Sequence, residues 1–418
     1  MLQLQSFAGL AALVATAWIL SENRRAVRWR TVAIGLGLQV TLGIALVTLD
    51  LGHGMFDALN GAVLALDSAT KTGMQFAFGY LAGGEAPFVE KAAASNFILA
   101  FQSLPLVLVI SALSALLFYW NIIPPVVRGF AWLLQRTLGV DGPAGVATAM
   151  NIFVGMVEAP LVVRPYLRSE SRASLFVIMT AGMATVAGTV MVLYATFLTG
   201  VIPNALGHIL TASLINAPAA IIIAQIMIPA SSGAATEARS MTIPREPGDN
   251  MMSAITRGAL DGAQLLINII AMLVVLVALV ALANQIIGVL PDVGGTPLTL
   301  QRIFGWIMAP LAWALGLPAN EILTGGQLLG TKLALTELIA FLDLSQLPAD
   351  ALSPRSRLIM TYALCGFANF GALGIMIGGL VAVLPERRAE VVELATKSLI
   401  SGTFATCMTG AVVGLISW

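Results

Sequence analysis

The 418-residue chain contains few of the residues that a soluble protein places on its surface. Charged residues make up 10% of the sequence, whereas soluble domains carry about 25%. Two histidines and two cysteines exclude a histidine-rich metal centre and a disulfide framework. Walker A and HExxH motifs are absent, so ATP-driven pumping and zinc hydrolysis find no support. We expect no enzymatic activity and no nucleic-acid partner.

Long apolar segments make up most of the sequence that remains. Hydrophobic residues account for 58% of the chain, and the mean hydropathy is +0.92. A segment of about 20 apolar residues crosses a hydrocarbon core of about 30 Å. We therefore predict an all-α integral membrane protein with about eight transmembrane helices, at 2–20, 32–49, 97–119, 174–198, 206–228, 260–282, 358–384 and 391–416. Residues 51–95 are mixed and weakly amphipathic, which suits the outer face or the membrane interface.

Two further apolar segments, 142–167 and 320–344, are interrupted by glycine. Arginines flank the first on both sides, so we place both of its ends in the cytoplasm. Gly155 and Pro160 interrupt it, and such backbone is tolerated within a membrane only where protein or a wet cavity covers it. We predict two re-entrant hairpins that open to opposite sides, each followed by a discontinuous helix.

Arginine placement orients the chain. Arg24, Arg25, Arg28 and Arg30 crowd the first loop, which predicts a cytoplasmic loop and N- and C-termini on the outer side of the membrane. The chain divides into N-terminal spans and an interfacial helix (1–141), a first hairpin with two spans (142–228), a cytoplasmic linker with a further span and an outer interfacial helix (229–319), and a second hairpin with two spans (320–418). The two hairpin units have opposite predicted topology, which suggests an inverted repeat; the alternative is a chance similarity between two apolar sequences. Arg355 and Arg357 fall on the outer side and disagree with this scheme.

Glu158 and Glu337 each lie in an apolar tract. A charged side chain at the bilayer centre costs about 2.5–3.5 kcal/mol on insertion scales, which favours a functional role. The alternative is a structural carboxylate, held by Arg164 or a helix N-terminus in the case of Glu158 and by Lys332 in the case of Glu337. A transporter with a polar site is the first hypothesis.

The segment 366–371 (GFANFG) places an amide between two aromatic rings within an apolar span. Glycine at both ends permits unwinding, and Phe367 offers a flat face to a ring. The alternative is close helix packing in which Asn369 bonds a neighbouring helix. Spacing does not decide between them.

Several segments together resemble the concentrative nucleoside transporter family. The likeness runs from about residue 97 to the C-terminus, and its last motif is quite specific. The matching segments are 101–105 (FQSLP), 151–160 (NIFVGMVEAP), 184–190 (ATVAGTV) and 362–370 (YALCGFANF).

The resemblance implies a homotrimer in a bacterial inner membrane, with periplasmic termini, that imports nucleosides with a cation. In each protomer, 142–228 and 320–418 would be repeats 1 and 2 of a mobile transport domain, which moves against a scaffold formed by 1–141 and the span within 229–319. The first hairpin and the following span would face the nucleobase, and the second hairpin and the next span the ribose. Glu158 and Val190 would lie near the base, whereas Glu337 and Asn369 would bind ribose hydroxyls beside Phe367. The implied Na⁺ ligands, partly through backbone carbonyls, are Asn151, Val154, Thr185 and Val186.

The first hairpin departs from the family pattern. Members typically have Gly-Gln-Thr-Glu or Gly-Gln-Ser-Glu, whereas this chain has Gly155, Met156, Val157 and Glu158, and Ala372 replaces a frequent serine near the ribose. The prediction is a Na⁺-coupled nucleoside symporter of elevator type. Alternatives are proton coupling through either carboxylate, a modified nucleoside or other ribosylated solute as substrate, and a non-concentrating nucleoside channel or sensor.

Overall fold

The computed structural model describes residues 1–48, 53–85, 87, 97–230, 250–293 and 295–417. These residues are almost entirely helical. The helices are α1 (Leu2–Ile19), α2 (Trp29–Gly43), α3 (His53–Phe78), α4 (Leu99–Gln102), α5 (Leu106–Tyr119), α6 (Ile123–Leu138), α7 (Gly142–Asn151), α8 (Glu158–Val162), α9 (Arg164–Leu167), α10 (Arg172–Ala184), α11 (Gly188–Leu198), α12 (Ala205–Met227), α13 (Met251–Ile287), α14 (Leu300–Ala314), α15 (Ile322–Ala334), α16 (Glu337–Gln346), α17 (Pro354–Leu364), α18 (Phe370–Val383) and α19 (Arg388–Ile416).

Seven stretches of the described chain are long and apolar enough to cross a membrane. They are α1, α2 with its π-helical continuation, α4 with α5, α10 with α11, α12, α13 and α19. The shorter apolar helix α18 follows α17 in the stretch where the sequence predicts a further span. The predicted all-α membrane fold with broken helices is confirmed. The stretch predicted at 51–95 contains α3, while 51, 52, 86 and 88–96 lie outside the described residues.

Each hairpin consists of two helices joined at a break. The first break lies at 152–157 between α7 and α8, and the second at 335–336 between α15 and α16. Thr336 caps α16 by accepting a hydrogen bond from the Ile339 amide at 3.3 Å. Each hairpin is followed by a broken span, α10 with α11 or α17 with α18. The same order of elements therefore occurs twice.

The two broken spans begin with the same cap. Ser171 precedes α10 and accepts a hydrogen bond from the Ser174 amide at 3.0 Å. Ser353 precedes α17 and accepts one from the Ser356 amide at 3.3 Å. A capping hydroxyl satisfies one of the four amides that a helix start leaves unpaired. Because the cap is shared, Ser171 and Ser353 serve as equivalent reference positions when the residues of α10 and α17 are compared.

Arg355 and Arg357 bind helix ends. Arg355 donates to the carbonyl oxygen of Gly316 at 2.8 Å, just beyond α14, and to that of Gly414 near the end of α19. Arg357 is buried and donates to the carbonyl oxygens of Leu347 and Pro348, which follow α16. Helix C-termini leave such acceptors unpaired. These contacts explain both arginines independently of which side of the membrane they occupy.

Helix α13 packs chiefly on α5 and is otherwise largely exposed. Gly258 and Gly262 allow the close approach, since a Cβ atom at Gly258 would lie 2.6 Å from the Ser111 carbonyl oxygen. The 37 residues of α13 span about 55 Å at 1.5 Å per residue, so the helix must tilt or extend beyond the hydrocarbon core. Most of α10, α12 and α19 is buried, and these helices form the core. Helices α1 and α2 pack on α12 and α19, and α1 also packs on α14. The N-terminal segment is therefore not separated from the later helices, and the predicted domain boundary at 141 stays a prediction.

Candidate functional site

The two carboxylates occupy equivalent positions in the two hairpins. Glu158 is the first residue of α8, and Glu337 is the first residue of α16. A carboxylate is favoured there because a helix N-terminus carries unpaired amides and a positive partial charge. Each hairpin break therefore brings one acidic side chain to the start of its second helix.

Glu337 is the centre of a buried hydrogen-bond cluster. Tyr194 in α11 donates to Oε1 of Glu337 at 2.6 Å, and Asn369 donates to Oε2 at 2.7 Å. The Tyr194 ring stacks on Phe341 with a centroid distance of 4.8 Å. The two carboxylate oxygens have four lone pairs in total, so acceptor capacity remains beyond the donors from Tyr194 and Asn369. The cluster thus joins three elements from both halves of the chain.

Asn369 is fixed at both ends of its amide. It caps α18, because its Oδ1 accepts a hydrogen bond from the Ala372 amide at 2.7 Å while its Nδ2 donates to Glu337. Ala372 is buried and offers no hydroxyl. Phe367 lies half-buried in the same break. The structure therefore brings Glu337, Asn369 and Ala372 together, with Phe367 in the same loop.

The breaks of the two broken spans meet. A Cβ atom at Gly366 would lie 2.6 Å from the Ala184 carbonyl oxygen, so only glycine fits there. Gly188 donates its amide hydrogen to the Phe153 carbonyl oxygen at 3.2 Å, which ties the start of α11 to the first hairpin break. Close packing of this kind places the ends of short helices around one region, as in transporter sites built from discontinuous helices.

A second polar cluster lies at the end of α7. Asn151 donates from Nδ2 to the Ala181 carbonyl oxygen at 3.0 Å and to the Thr185 hydroxyl at 2.5 Å. Its Oδ1 is buried and has no hydrogen-bond partner among the described residues. The hydroxyl of Thr148, one turn earlier, is also buried and unpaired in the described part of the chain. The cluster therefore contains two buried oxygens whose hydrogen-bonding capacity is unused within the described residues.

The structure places the other two predicted Na⁺ ligands beside this cluster. The Val154 amide continues α7 by donating to the Met150 carbonyl oxygen at 3.0 Å. The Val186 amide donates to Ser213 Oγ at 3.2 Å. Their side chains are apolar, so only their carbonyl oxygens could serve as ligands, and that role stays a prediction.

The first hairpin turns most of its break towards apolar neighbours. Met156 lies over Gly182 in α10, where an added Cβ would come within 3.1 Å of the Met156 Cβ. Val157 lies over Gly379 in α18, where an added Cβ would come within 2.8 Å of the Val157 Cγ1. The Glu158 side chain is exposed, and its carboxylate lies against Gly155. Met156 and Val157 therefore fill space above glycines.

Of the structural roles considered for the two carboxylates, the helix N-terminus fits Glu158, which is the first residue of α8, whereas neither ion pair is present among the described residues. Within the described residues, no hydrogen bond or ion pair joins Glu158 to Arg164 or Glu337 to Lys332. Lys332 donates instead to the Ala363 carbonyl oxygen and the Thr406 hydroxyl. Val190, predicted near the base, is buried in α11.

Sequence reasoning missed Tyr194 and Thr148. A tyrosine in an apolar membrane helix needs a partner for its hydroxyl, and this signal would have marked Tyr194. Thr148 offered no comparable signal, because threonine in a helix usually bonds its own backbone.

Two hairpins, two broken spans and polar clusters at their breaks define the class of secondary transporters built from repeats. Three sequence profiles match: the Na⁺-dependent nucleoside transporter N-terminus at 8–81, nucleoside recognition ("Gate") at 100–200, and the Na⁺-dependent nucleoside transporter C-terminus at 208–414. The chain belongs to the concentrative nucleoside transporter family.

Individual relatives match along nearly their whole length. An uncharacterized transporter of Haemophilus influenzae is 37% identical, and the match covers 99% of this chain and 97% of the relative. The nucleoside permease NupC of Helicobacter pylori is 33% identical, with 98% and 97% covered. The structure of CNTnw in an inward-facing substrate-bound state superposes with a TM-score of 0.89 at 34% identity, covering 99% of this chain and 98% of that one.

Proposed function

We propose that this protein is a Na⁺-coupled symporter that imports nucleosides by alternating access. The observation that carries this proposal is the buried, unpaired Oδ1 of Asn151 beside the Thr185 hydroxyl and the Ala181 carbonyl oxygen. Neutral oxygens at a discontinuous helix are the ligands that transporters offer to Na⁺. The Na⁺ dependence in the family description and the permease named above support the assignment.

The ribose is bound by the second hairpin in this proposal. The carboxylate of Glu337 accepts hydrogen bonds from Tyr194 and Asn369, and its four lone pairs leave acceptor capacity for a sugar hydroxyl. Vicinal hydroxyls present two donors side by side, which suits a carboxylate. A sugar lacking them would leave buried polar groups unpaired, and such sites reject the deficient analogue strongly.

The nucleobase is held by the first hairpin and α11. Glu158 is the one side chain of the Gly155–Glu158 turn that offers hydrogen bonds, because Met156 and Val157 are apolar and pack on glycines. Phe367 and Val190 supply apolar contact to a ring. A site with one polar group discriminates weakly among bases, so we propose a broad base preference or a modified base as substrate.

Cation and nucleoside binding share the same elements. Asn151 and Glu158 lie on either side of the first hairpin break, and Thr185 lies in the break of the span that carries Tyr194. A cation between Asn151 and Thr185 would fix these two breaks relative to each other. Ordering both before the nucleoside arrives makes the two binding steps mutually favourable, and by linkage the effect is reciprocal.

The transport movement proposed is an elevator motion within a homotrimer. The hairpins and broken spans would move against α13, which approaches Gly371 through Leu276 and Met272. The exposed apolar length of α13 suits contact with lipid and with neighbouring copies. The arginine-rich first loop supports a cytoplasmic placement, hence periplasmic termini in an inner membrane.

Uptake of labelled uridine into proteoliposomes tests the proposal. We expect accumulation above the external concentration under an inward Na⁺ gradient. No uptake under a Na⁺ or a proton gradient would contradict nucleoside transport. Equilibration without accumulation would identify a channel, and accumulation under a proton gradient alone would assign coupling to a proton.

Thr185→Val tests the cation site, since it removes a hydroxyl and keeps the side-chain shape. We expect a lower apparent affinity for Na⁺ with little change in nucleoside affinity at saturating Na⁺. Thr180→Val is the matched control, because Thr180 lies in the same helix and bonds Ser401 instead. If both variants keep the wild-type Na⁺ dependence, the cation does not bind Thr185.

A further inference from the structure

Lys332 is a buried lysine in the second hairpin for which transport has so far supplied no role. It is 2% exposed, and its Nζ donates to the Ala363 carbonyl oxygen at 2.9 Å and to Thr406 Oγ1 at 3.0 Å. Within the described residues no carboxylate lies in ion-pair range of it. A buried ammonium without an ion-pair contact is costly, so its position calls for an explanation.

The Ala363 carbonyl has a counterpart in the first repeat. Ser353 caps α17 and Ser171 caps α10 in the same way. Counted from these caps, Ala363 and Ala181 are each the tenth residue. The Ala181 carbonyl oxygen is the one that Asn151 contacts in the proposed Na⁺ site. The two carbonyls therefore occupy the same register of the two broken spans.

The groups that reach these carbonyls also correspond. Asn151 is the last residue of α7, and Lys332 is two residues from the end of α15. Each approaches from the end of its hairpin's first helix, and each is accompanied by a threonine hydroxyl, from Thr185 or Thr406. Both clusters consist of neutral oxygens near the C-terminus of a half-helix, where the helix dipole favours a cation.

We propose that the ammonium group of Lys332 is a built-in cation that takes, in the second repeat, the place that Na⁺ takes in the first. The proposal rests on the function proposed above, because it needs Na⁺ at Asn151. It follows that the second hairpin requires no ion to close on the ribose. The protein then has one exchangeable cation site and moves one net charge with each neutral nucleoside.

A structural hydrogen-bond donor would behave differently. Lysine side chains also bond the last carbonyls of helices for stability alone. A structural donor can be replaced by a neutral donor without changing the ion requirement. A built-in cation can be replaced only by another cation, so its removal should create a new dependence on Na⁺.

Lys332→Asn tests this difference, because asparagine recreates the amide, hydroxyl and carbonyl set of the first site. We expect uptake at low Na⁺ to fall about 10-fold or more and to recover at high Na⁺. The Hill coefficient for Na⁺ should rise from about one to about two, since it is bounded by the number of sites. Charge moved per nucleoside should double in solid-supported-membrane recordings. Lys332→Met, similar in length but unable to bind a cation, should stay inactive at every Na⁺ concentration.

Folding is followed in parallel through thermal unfolding of the purified proteins across Na⁺ concentrations. Na⁺ should stabilise Lys332→Asn more steeply than the wild type. Active Lys332→Asn with a Hill coefficient of one would overturn the proposal, as would wild-type transport by Lys332→Met or failure of Lys332→Asn to fold at high Na⁺. Absence of Na⁺-driven uptake in the wild type would instead refute the proposed function, so the two failures are distinguishable.

Discussion

Replacing Tyr194 by phenylalanine removes one hydroxyl from the centre of the proposed ribose site. That hydroxyl donates to Glu337 at 2.6 Å, and both side chains are buried. Hydrogen bonds to charged groups contribute about 1.5–3 kcal/mol, which corresponds to about 10- to 150-fold in an equilibrium constant. Stacking on Phe341 is retained, because the ring itself is unchanged. We expect Tyr194→Phe to weaken nucleoside binding within this range by leaving the carboxylate free to turn.

Initial uptake rates in proteoliposomes and nucleoside-dependent thermal stabilisation measure the effect. If Tyr194 positions Glu337, the Km for uridine should rise while the affinity for Na⁺ stays near the wild-type value. Tyr362→Phe is the control, since Tyr362 is equally buried but bonds His208, away from Glu337. Unchanged nucleoside affinity in Tyr194→Phe would refute the positioning role, and equal losses in both variants would indicate a general packing effect.

Three further changes have defined outcomes. Glu337→Gln should raise the uridine Km about 10-fold or more, because the hydrogen bonds lose their charge; unchanged uptake would contradict the ribose assignment. Met156→Gln should leave base preference unchanged in competition assays, because the side chain at this position packs over Gly182. A shifted preference would show that the side chain faces the base instead. The pKa of Glu22 lies below its ordinary value of 4.5, chiefly because Arg172 donates to its carboxylate. Its stabilising contribution is therefore present above that value and lost as the pH falls further, so the Tm of Glu22→Gln should fall less steeply with acid than that of the wild type.

The sequence predicted the parts of the fold whose physical cause is local. Glycine and proline within apolar tracts indicated both hairpins and both broken spans, because these residues weaken helices, although Pro218 and Pro310 lie inside the continuous helices α12 and α14. Glu158 and Glu337 were found because a carboxylate in apolar sequence is costly. The structure then placed both at the first position of a helix, where the cost is reduced.

Contacts between distant segments could not be obtained in this way. Tyr194 and Glu337 are 143 residues apart in sequence, and no local pattern joins them. Lys332 was weighed as a partner of Glu337 because the two are close in sequence. Residues five apart do not face each other on a helix, and the break at 335–336 separates them further. The lysine consequently reaches a helix end in the same half of the chain.

The unusual first hairpin is best understood together with the glycines it covers. Read from the sequence, Met156 and Val157 looked like lost hydrogen-bonding groups at the base. In the structure their side chains fill the space above Gly182 and Gly379, so their bulk stabilises contacts between the hairpin and two neighbouring helices. In the proposed function, polar recognition is then concentrated at Glu337, which is held by two donors. A transporter built this way should select its substrates by the sugar more strictly than by the base.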